Sequence, residues 1–258
     1  MKLKLLIPAF LLIRVCNAES PYENYKPGDT FIYAGAAAGG ILSHFISNRL
    51  QPLTESEVEA LDPNDVHPFD RSAIFNRSEF AARFSDWGMF TSLALPVALM
   101  TQRHVREDYN KVGYLYLQTL AITAVVTQLT KGTTRRTRPY VYNPQVSLEE
   151  KLTRDARKAF FSGHTSLSFA GAVYTAKVLS DYYPDSNWTT YAWVGALALS
   201  GSTAYCRVRA GKHFPTDVLV GALVGGGIGY LIPQCHKKSP NDSADIQQPV
   251  LIRLQFAL

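Results

Sequence analysis

Three short polar clusters, each at the end of an apolar stretch, hold the residues of this chain whose types and spacing suit chemistry on a phosphoryl group. The first is Lys131-Gly-Thr-Thr-Arg-Arg-Thr-Arg138-Pro139. The second is Phe161-Ser162-Gly163-His164, and the third runs from Cys206-Arg207 through His213 to Asp217. Lysine supplies a point charge and arginine a planar fork that matches phosphate oxygens. Pro139 ends any helix that reaches the first pair. Ser162 is placed to cap the apolar helix that follows it. The free amides at such an end bind anions, and Gly163 lets the backbone come close. His164 beside them can donate a proton to a departing oxygen. In the third cluster Phe214-Pro215-Thr216 reads as a helix start, so Asp217 falls in the first turn, within reach of the His213 ring. A carboxylate there would fix the imidazole tautomer and raise its nucleophilicity. Taken singly, each cluster has a plainer explanation: cations snorkelling at a helix end, an ordinary cap, a packed His-Asp pair. The three together read as a cage that holds, attacks and protonates a phosphate.

The pattern K-x6-R-P, S-G-H, R-x5-H-x3-D resembles the signature of the type 2 phosphatidic acid phosphatase family, which also contains bacterial class A acid phosphatases and vanadium haloperoxidases. All spacings match, over about residues 110–230. Phe161 stands where proline is common and Cys206 where serine or glycine is common. The resemblance implies a metal-independent phosphatase with no cofactor. In that reading His213 attacks phosphorus, Asp217 orients it, and His164 is the general acid. Lys131, Arg138, Ser162, Gly163 and Arg207 bind the phosphate. Turnover would pass through a phosphohistidine, hydrolysing a phosphate ester or diphosphate. A bundle in the membrane would take lipid phosphates, and a soluble one would be a broad-specificity periplasmic acid phosphatase. A vanadium haloperoxidase and a non-catalytic envelope protein that binds anionic lipid are the remaining readings.

The clusters need elements to position them. Apolar stretches at about 30–48, 87–102, 112–130, 163–180, 187–206 and 218–233 predict an all-α fold, a helical bundle of about six core helices. Val112–Thr130, Ser186–Cys206 and Val218–Cys235 contain no charged residue, whereas Lys177 cuts the fourth stretch short. Membrane-embedded and soluble bundles both fit. The run Gly221-Ala-Leu-Val-Gly225-Gly-Gly-Ile-Gly229 favours the membrane, where small residues let helices approach closely.

Residues 1–18 look like a secretory signal, with Lys2 and Lys4 before an apolar run and Cys16-Asn-Ala18 at a cleavage point. The bundle is expected over 19–236 and a tail over 237–258, in which Val250–Phe256 alternates like a short strand. Cys206 and Cys235 flank a helical segment nearly 30 Å long at ~1.5 Å per residue, so no disulfide is expected between them. The net charge of +5 is uneven, acidic over 50–86 and basic over 131–158. In an exported protein the basic run suits an anionic headgroup, so the expected partners are a membrane and its lipid phosphates, not nucleic acid. No paired carboxylates or Cys/His sets suggest a metal. The expected location is a bacterial cell envelope, in the inner membrane with a periplasm-facing site, or soluble in the periplasm. A cleaved signal followed by six spans would instead turn the site to the cytoplasm, unless the first stretch does not cross or the signal-like helix is retained. Arg135 and Arg136 are expected to face headgroups or solvent. The cluster His67-Pro-Phe69-Asp70-Arg71 is expected to cover the site mouth.

Overall fold

Each apolar stretch becomes a helix whose ends are set by local chemistry. The computed structural model describes residues 20–23 and 25–239. Its six long helices are α1 (Pro27–Arg49), α2 (Glu79–Ala98), α3 (Tyr109–Thr134), α4 (Gly163–Tyr182), α5 (Trp188–Arg209) and α6 (Pro215–Cys235). Among the described residues no strand forms, only an isolated bridge between Tyr22 and Lys237. The all-α bundle is therefore as the periodicity predicts. The signal segment and most of the tail, including Val250–Phe256, lie outside the described residues.

Two boundaries differ from expectation. Helix α2 begins at Glu79, ahead of the apolar stretch, because the Ser78 hydroxyl accepts the Ala81 amide at 3.2 Å and caps it. Lys177 does not shorten α4. It pairs with Asp181 one turn on and sits 5.3 Å from the centroid of the Tyr230 ring, which lets the helix run to Tyr182.

Helix α4 is the centre of the bundle and packs on α2, α3, α5 and α6, while α1 lies along α3. Small and hydroxyl side chains fill the seams. Ser92 and Ser168 meet at 2.7 Å, Thr127 and Ser166 at 3.0 Å, and the Ser200 hydroxyl donates to the Ser168 carbonyl at 3.2 Å. Glycines at one-turn spacing bring α6 onto α4. A Cβ on Gly225 would lie 1.9 Å from the Ser166 carbonyl oxygen, and one on Gly229 2.5 Å from that of Ala170. The large apolar side chains face outward instead: Phe31, Phe45, Trp87, Phe90, Trp188 and Leu223 are all exposed. Polar seams beneath an apolar exterior suit a lipid environment rather than water. Helix α1, the segment Tyr109–Tyr142 that contains α3, and α6 are long and apolar enough to cross a membrane. Helix α5 carries no charge over 186–206 but is not among them, because its serines, threonines and glycines dilute the apolar residues.

The helices alternate in direction. At one end Lys26 donates to the Cys235 carbonyl at 2.8 Å and the Glu23 amide to the His236 carbonyl at 2.8 Å, tying Glu23 and Lys26 to the end of α6. The C-terminal ends of α1, α3 and α5 meet the N-terminal ends of α2, α4 and α6 at the other end, where the three polar clusters lie. Cys206 and Cys235 are both free thiols, as their separation requires.

Candidate active site

Helix ends build the site. Helix α3 delivers Lys131 in its last turn and stops at Thr134, where Arg135 adopts the left-handed conformation at φ 49°. The chain then runs extended through Arg138 into Pro139. Ser162 caps α4 with its hydroxyl, which accepts the Thr165 amide at 3.4 Å and the Thr165 hydroxyl at 3.0 Å. Pro215 opens α6, as its fixed φ favours. These ends converge on a cavity of about 390 Å³ lined by Lys131, Arg138, Gly163, His164, Arg207 and His213, together with Lys158 and Asp155. Six of the eight residues singled out from sequence thus line one space. The exceptions are Asp217, buried behind His213, and Ser162, whose side chain is wholly buried in capping while its neighbour Gly163 reaches the cavity.

The cations are held from behind. Lys131 donates to the Lys158 carbonyl at 2.7 Å. Arg138 donates to the Asp155 carbonyl and carboxylate, each at 2.9 Å, and to the Lys212 carbonyl at 3.2 Å. Arg207 donates to the Ser85 hydroxyl at 3.3 Å, while its Nε is buried with no hydrogen-bond partner among the described residues. A buried, unpaired guanidinium donor is costly unless a ligand completes it, and at a cage of cations that ligand is an anion.

His213 is buried, and its Nδ1 lies 2.8 Å from the Ala159 carbonyl oxygen. A carbonyl can only accept, so Nδ1 carries the proton and Nε2 keeps a free lone pair. Burial pushes the imidazole well below its usual range, and Arg138, Lys131 and Arg207 add to the shift. The ring is therefore neutral near pH 7, the form a nucleophile needs.

The expected orienter of that ring is not the group that holds it. Asp217 Oδ2 stands 3.6 Å from His213 Nδ1, too far for a hydrogen bond, and takes the Phe214 amide at 2.8 Å instead. Its other oxygen accepts from Arg136 at 2.5 Å. Asp217 shapes the turn that carries His213, and the main chain at Ala159 sets the tautomer. Arg136 accordingly does not face headgroups or solvent. It bridges Asp217 to Asp70, at 2.8 Å, and lies 4.4 Å from the Phe214 ring centroid. Asp70 does not cover the mouth either. It is buried behind the site, accepting the Thr216 amide at 2.9 Å and hydroxyl at 2.6 Å.

Sequence reasoning missed one residue that contacts two of the site's side chains. Asp86, on α2, places Oδ1 2.7 Å from His164 Nε2 and 3.5 Å from an Arg207 terminal nitrogen. It is the last charged residue of α2, directly before the apolar run that starts at Trp87, and an ionisable group at the edge of such a run is the signal that was available. Burial and Arg207 push His164 down to about 4, against the opposing pull of Asp86.

The described residues form a helical bundle with a histidine and cation cage at its helix ends. Residues 113–240, just under half of the chain, match the PAP2 superfamily. It is similar to an undecaprenyl-diphosphatase of Sulfolobus acidocaldarius, 28% identical over 132 residues that cover 51% of this chain and 58% of that protein. A probable diacylglycerol pyrophosphate phosphatase 1 of Schizosaccharomyces pombe is 30% identical over 97 residues, 36% of this chain and 35% of that one. The chain thus spans less than two thirds of either relative's length. Among solved structures, the transmembrane PAP2 type phosphatidylglycerolphosphate phosphatase from Bacillus subtilis aligns with a TM-score of 0.48 at 17% identity, covering 83% of this chain and 98% of that one.

Proposed function

We propose that the chain is a metal-independent phosphatase that hydrolyses a phosphate ester or diphosphate of a membrane lipid through a phosphohistidine on His213. One observation carries this reading: His213, with Nδ1–H tied to the Ala159 carbonyl and Nε2 free, lines the cavity that also exposes Lys131, Arg138 and Arg207. The three cations bind the equatorial oxygens and stabilise the charge of the transferring group without a metal. His213 Nε2 displaces the leaving group in line, and His164 protonates the departing oxygen. Water then attacks phosphorus with His164 as base, which restores the free imidazole. The lipid substrate is supported by the apolar exterior, by three helices able to cross a membrane, and by the names of the relatives.

The bundle supports a reading of sidedness. Helix α1 packs along α3 as a full member, so the first apolar stretch is not left outside it. Glu23 and Lys26 lie at the end opposite the site. A periplasm-facing site in a bacterial inner membrane therefore requires these two residues on the cytoplasmic side and an uncleaved leader. We adopt that orientation, and reagent labelling of a single cysteine placed at Asp155 in intact cells tests it.

The activity test is phosphate release in EDTA from a panel of lipid monophosphates, lipid diphosphates and p-nitrophenyl phosphate. Chelator-resistant release by the wild type, lost in His213→Ala, is the expected result. No release from any substrate by folded protein would overturn the phosphatase reading.

A further inference from the structure

His164 has two ring nitrogens, and one of them is already taken. Asp86 Oδ1 lies 2.7 Å from Nε2, the only side-chain hydrogen bond His164 makes among the described residues, while Nδ1 is free. Asp86 belongs to α2, outside the segment that matches the PAP2 superfamily and outside all three polar clusters. We propose that Asp86 is a positioning residue for the phosphatase reaction, a carboxylate that holds the imidazolium form of His164 through Nε2 and so aims Nδ1–H at the leaving oxygen. The inference rests on the phosphatase reading above.

Charge makes the pairing necessary. The groups facing His164 are Arg207 on α5, Arg138, Asp155 and Lys158 on the chain between α3 and α4, Lys131 at the end of α3, and His213 before α6, with Asp86 on α2. All but Asp86 and Asp155 are cationic or become so on protonation and oppose a second proton on His164, and the Asp155 carboxylate is engaged by Arg138. Burial opposes it further. A general acid must nevertheless be protonated when the substrate's bond breaks. Among the described residues, Asp86 is the one carboxylate in hydrogen-bond contact with that ring. Its oxygen also approaches Arg207 at 3.5 Å, which fixes where the carboxylate stands between the two.

The proton inventory then closes. As the His213 Nε2–phosphorus bond forms, the bond from phosphorus to the leaving oxygen breaks and its electron pair stays on that oxygen. The oxygen takes the Nδ1 proton of His164, which becomes neutral with Nε2–H still donated to Asp86. In the second step water gives a proton back to Nδ1 as its oxygen bonds to phosphorus. The phosphorus–nitrogen bond breaks, and its electron pair returns to His213 Nε2.

A positioning role for a general acid predicts dependence on the leaving group. Asp86→Asn is compared with the wild type by kcat/KM on dodecyl phosphate, whose alkoxide must be protonated, and on p-nitrophenyl phosphate, whose phenolate need not be. We expect a loss of about 10- to 100-fold on the alkyl ester and little change on the aryl ester. The alkaline limb of the alkyl-ester profile should also move to lower pH, and Asp86→Glu should recover part of the loss. Equal losses on both esters with an unmoved limb would mark a structural residue and overturn the proposal, as would no loss on either. A measurement independent of turnover separates this from failure of the phosphatase reading. The His164 ring, followed by NMR, should titrate at lower pH in Asp86→Asn than in the wild type, and an unchanged titration would overturn the pairing.

Discussion

The two ends of the bundle bury charged side chains in opposite ways. At the end away from the site, Asp181 lies between Lys177 and Lys237 and also accepts the Tyr22 hydroxyl at 2.9 Å, while Asp29 meets His236 at 2.9 Å. Each buried charge there has an opposite partner in contact. At the site end, Lys131, Arg138, Lys158 and Arg207 line one cavity with a single carboxylate, Asp155, and a buried Arg207 nitrogen has no partner among the described residues. Neutralised burial ties helices and the terminal segments together. Burial left positive around an open space is a binding site, because only a further anion completes it.

Variants can break this contrast, and the largest effect falls on the nucleophile. His213→Ala should lower turnover by about 10⁴ or more, since loss of a nucleophile removes the covalent route. Trapping radiolabelled phosphate on the wild type but not on the variant would check it directly. Arg207→Ala should cost on the order of 10²–10³ in kcat, the usual effect of removing one charge-stabilising donor, and inorganic phosphate should inhibit the variant more weakly. Lowering the pH should sharpen the picture. His164 is useful as an acid only when protonated, and burial with Arg207 beside it lowers its pKa to about 4. For alkyl phosphates kcat/KM should therefore fall by up to about tenfold per pH unit above that value. Bound phosphate adds negative charge beside the ring, so kcat should break at a higher pH than kcat/KM.

The far end should respond in stability and not in rate. Asp181→Asn leaves the buried Lys177 without its counter-charge and should cost about 3–5 kcal/mol, read as a lower unfolding temperature in detergent. Its kcat/KM at permissive temperature should stay within about twofold, because the sites are distant. A large rate loss in Asp181→Asn would break the distinction between the two ends. Gly225→Ala tests the seam between them: its Cβ would press on the Ser166 carbonyl, so the helices must separate, at a cost of about 1–3 kcal/mol.

The chain's own pattern determined the class of fold and nearly the whole cage. Six apolar stretches became six helices, and Lys131, Arg138, Gly163, His164, Arg207 and His213 came to one cavity. These were readable because each signal is local: a helix period, a capping serine, a proline opening a helix, charges at fixed spacing from an apolar end. The tertiary structure decided which atoms meet across elements. It gave the His213 proton to the Ala159 carbonyl, 54 residues away in sequence, and moved Asp217 to the Phe214 amide and Arg136. It turned Arg136 and Asp70 inward to brace the α6 turn, and brought Asp86 to His164 across 78 residues. No spacing rule encodes such pairings, since a hydrogen bond depends on distances of a few tenths of an ångström that only the packed helices establish.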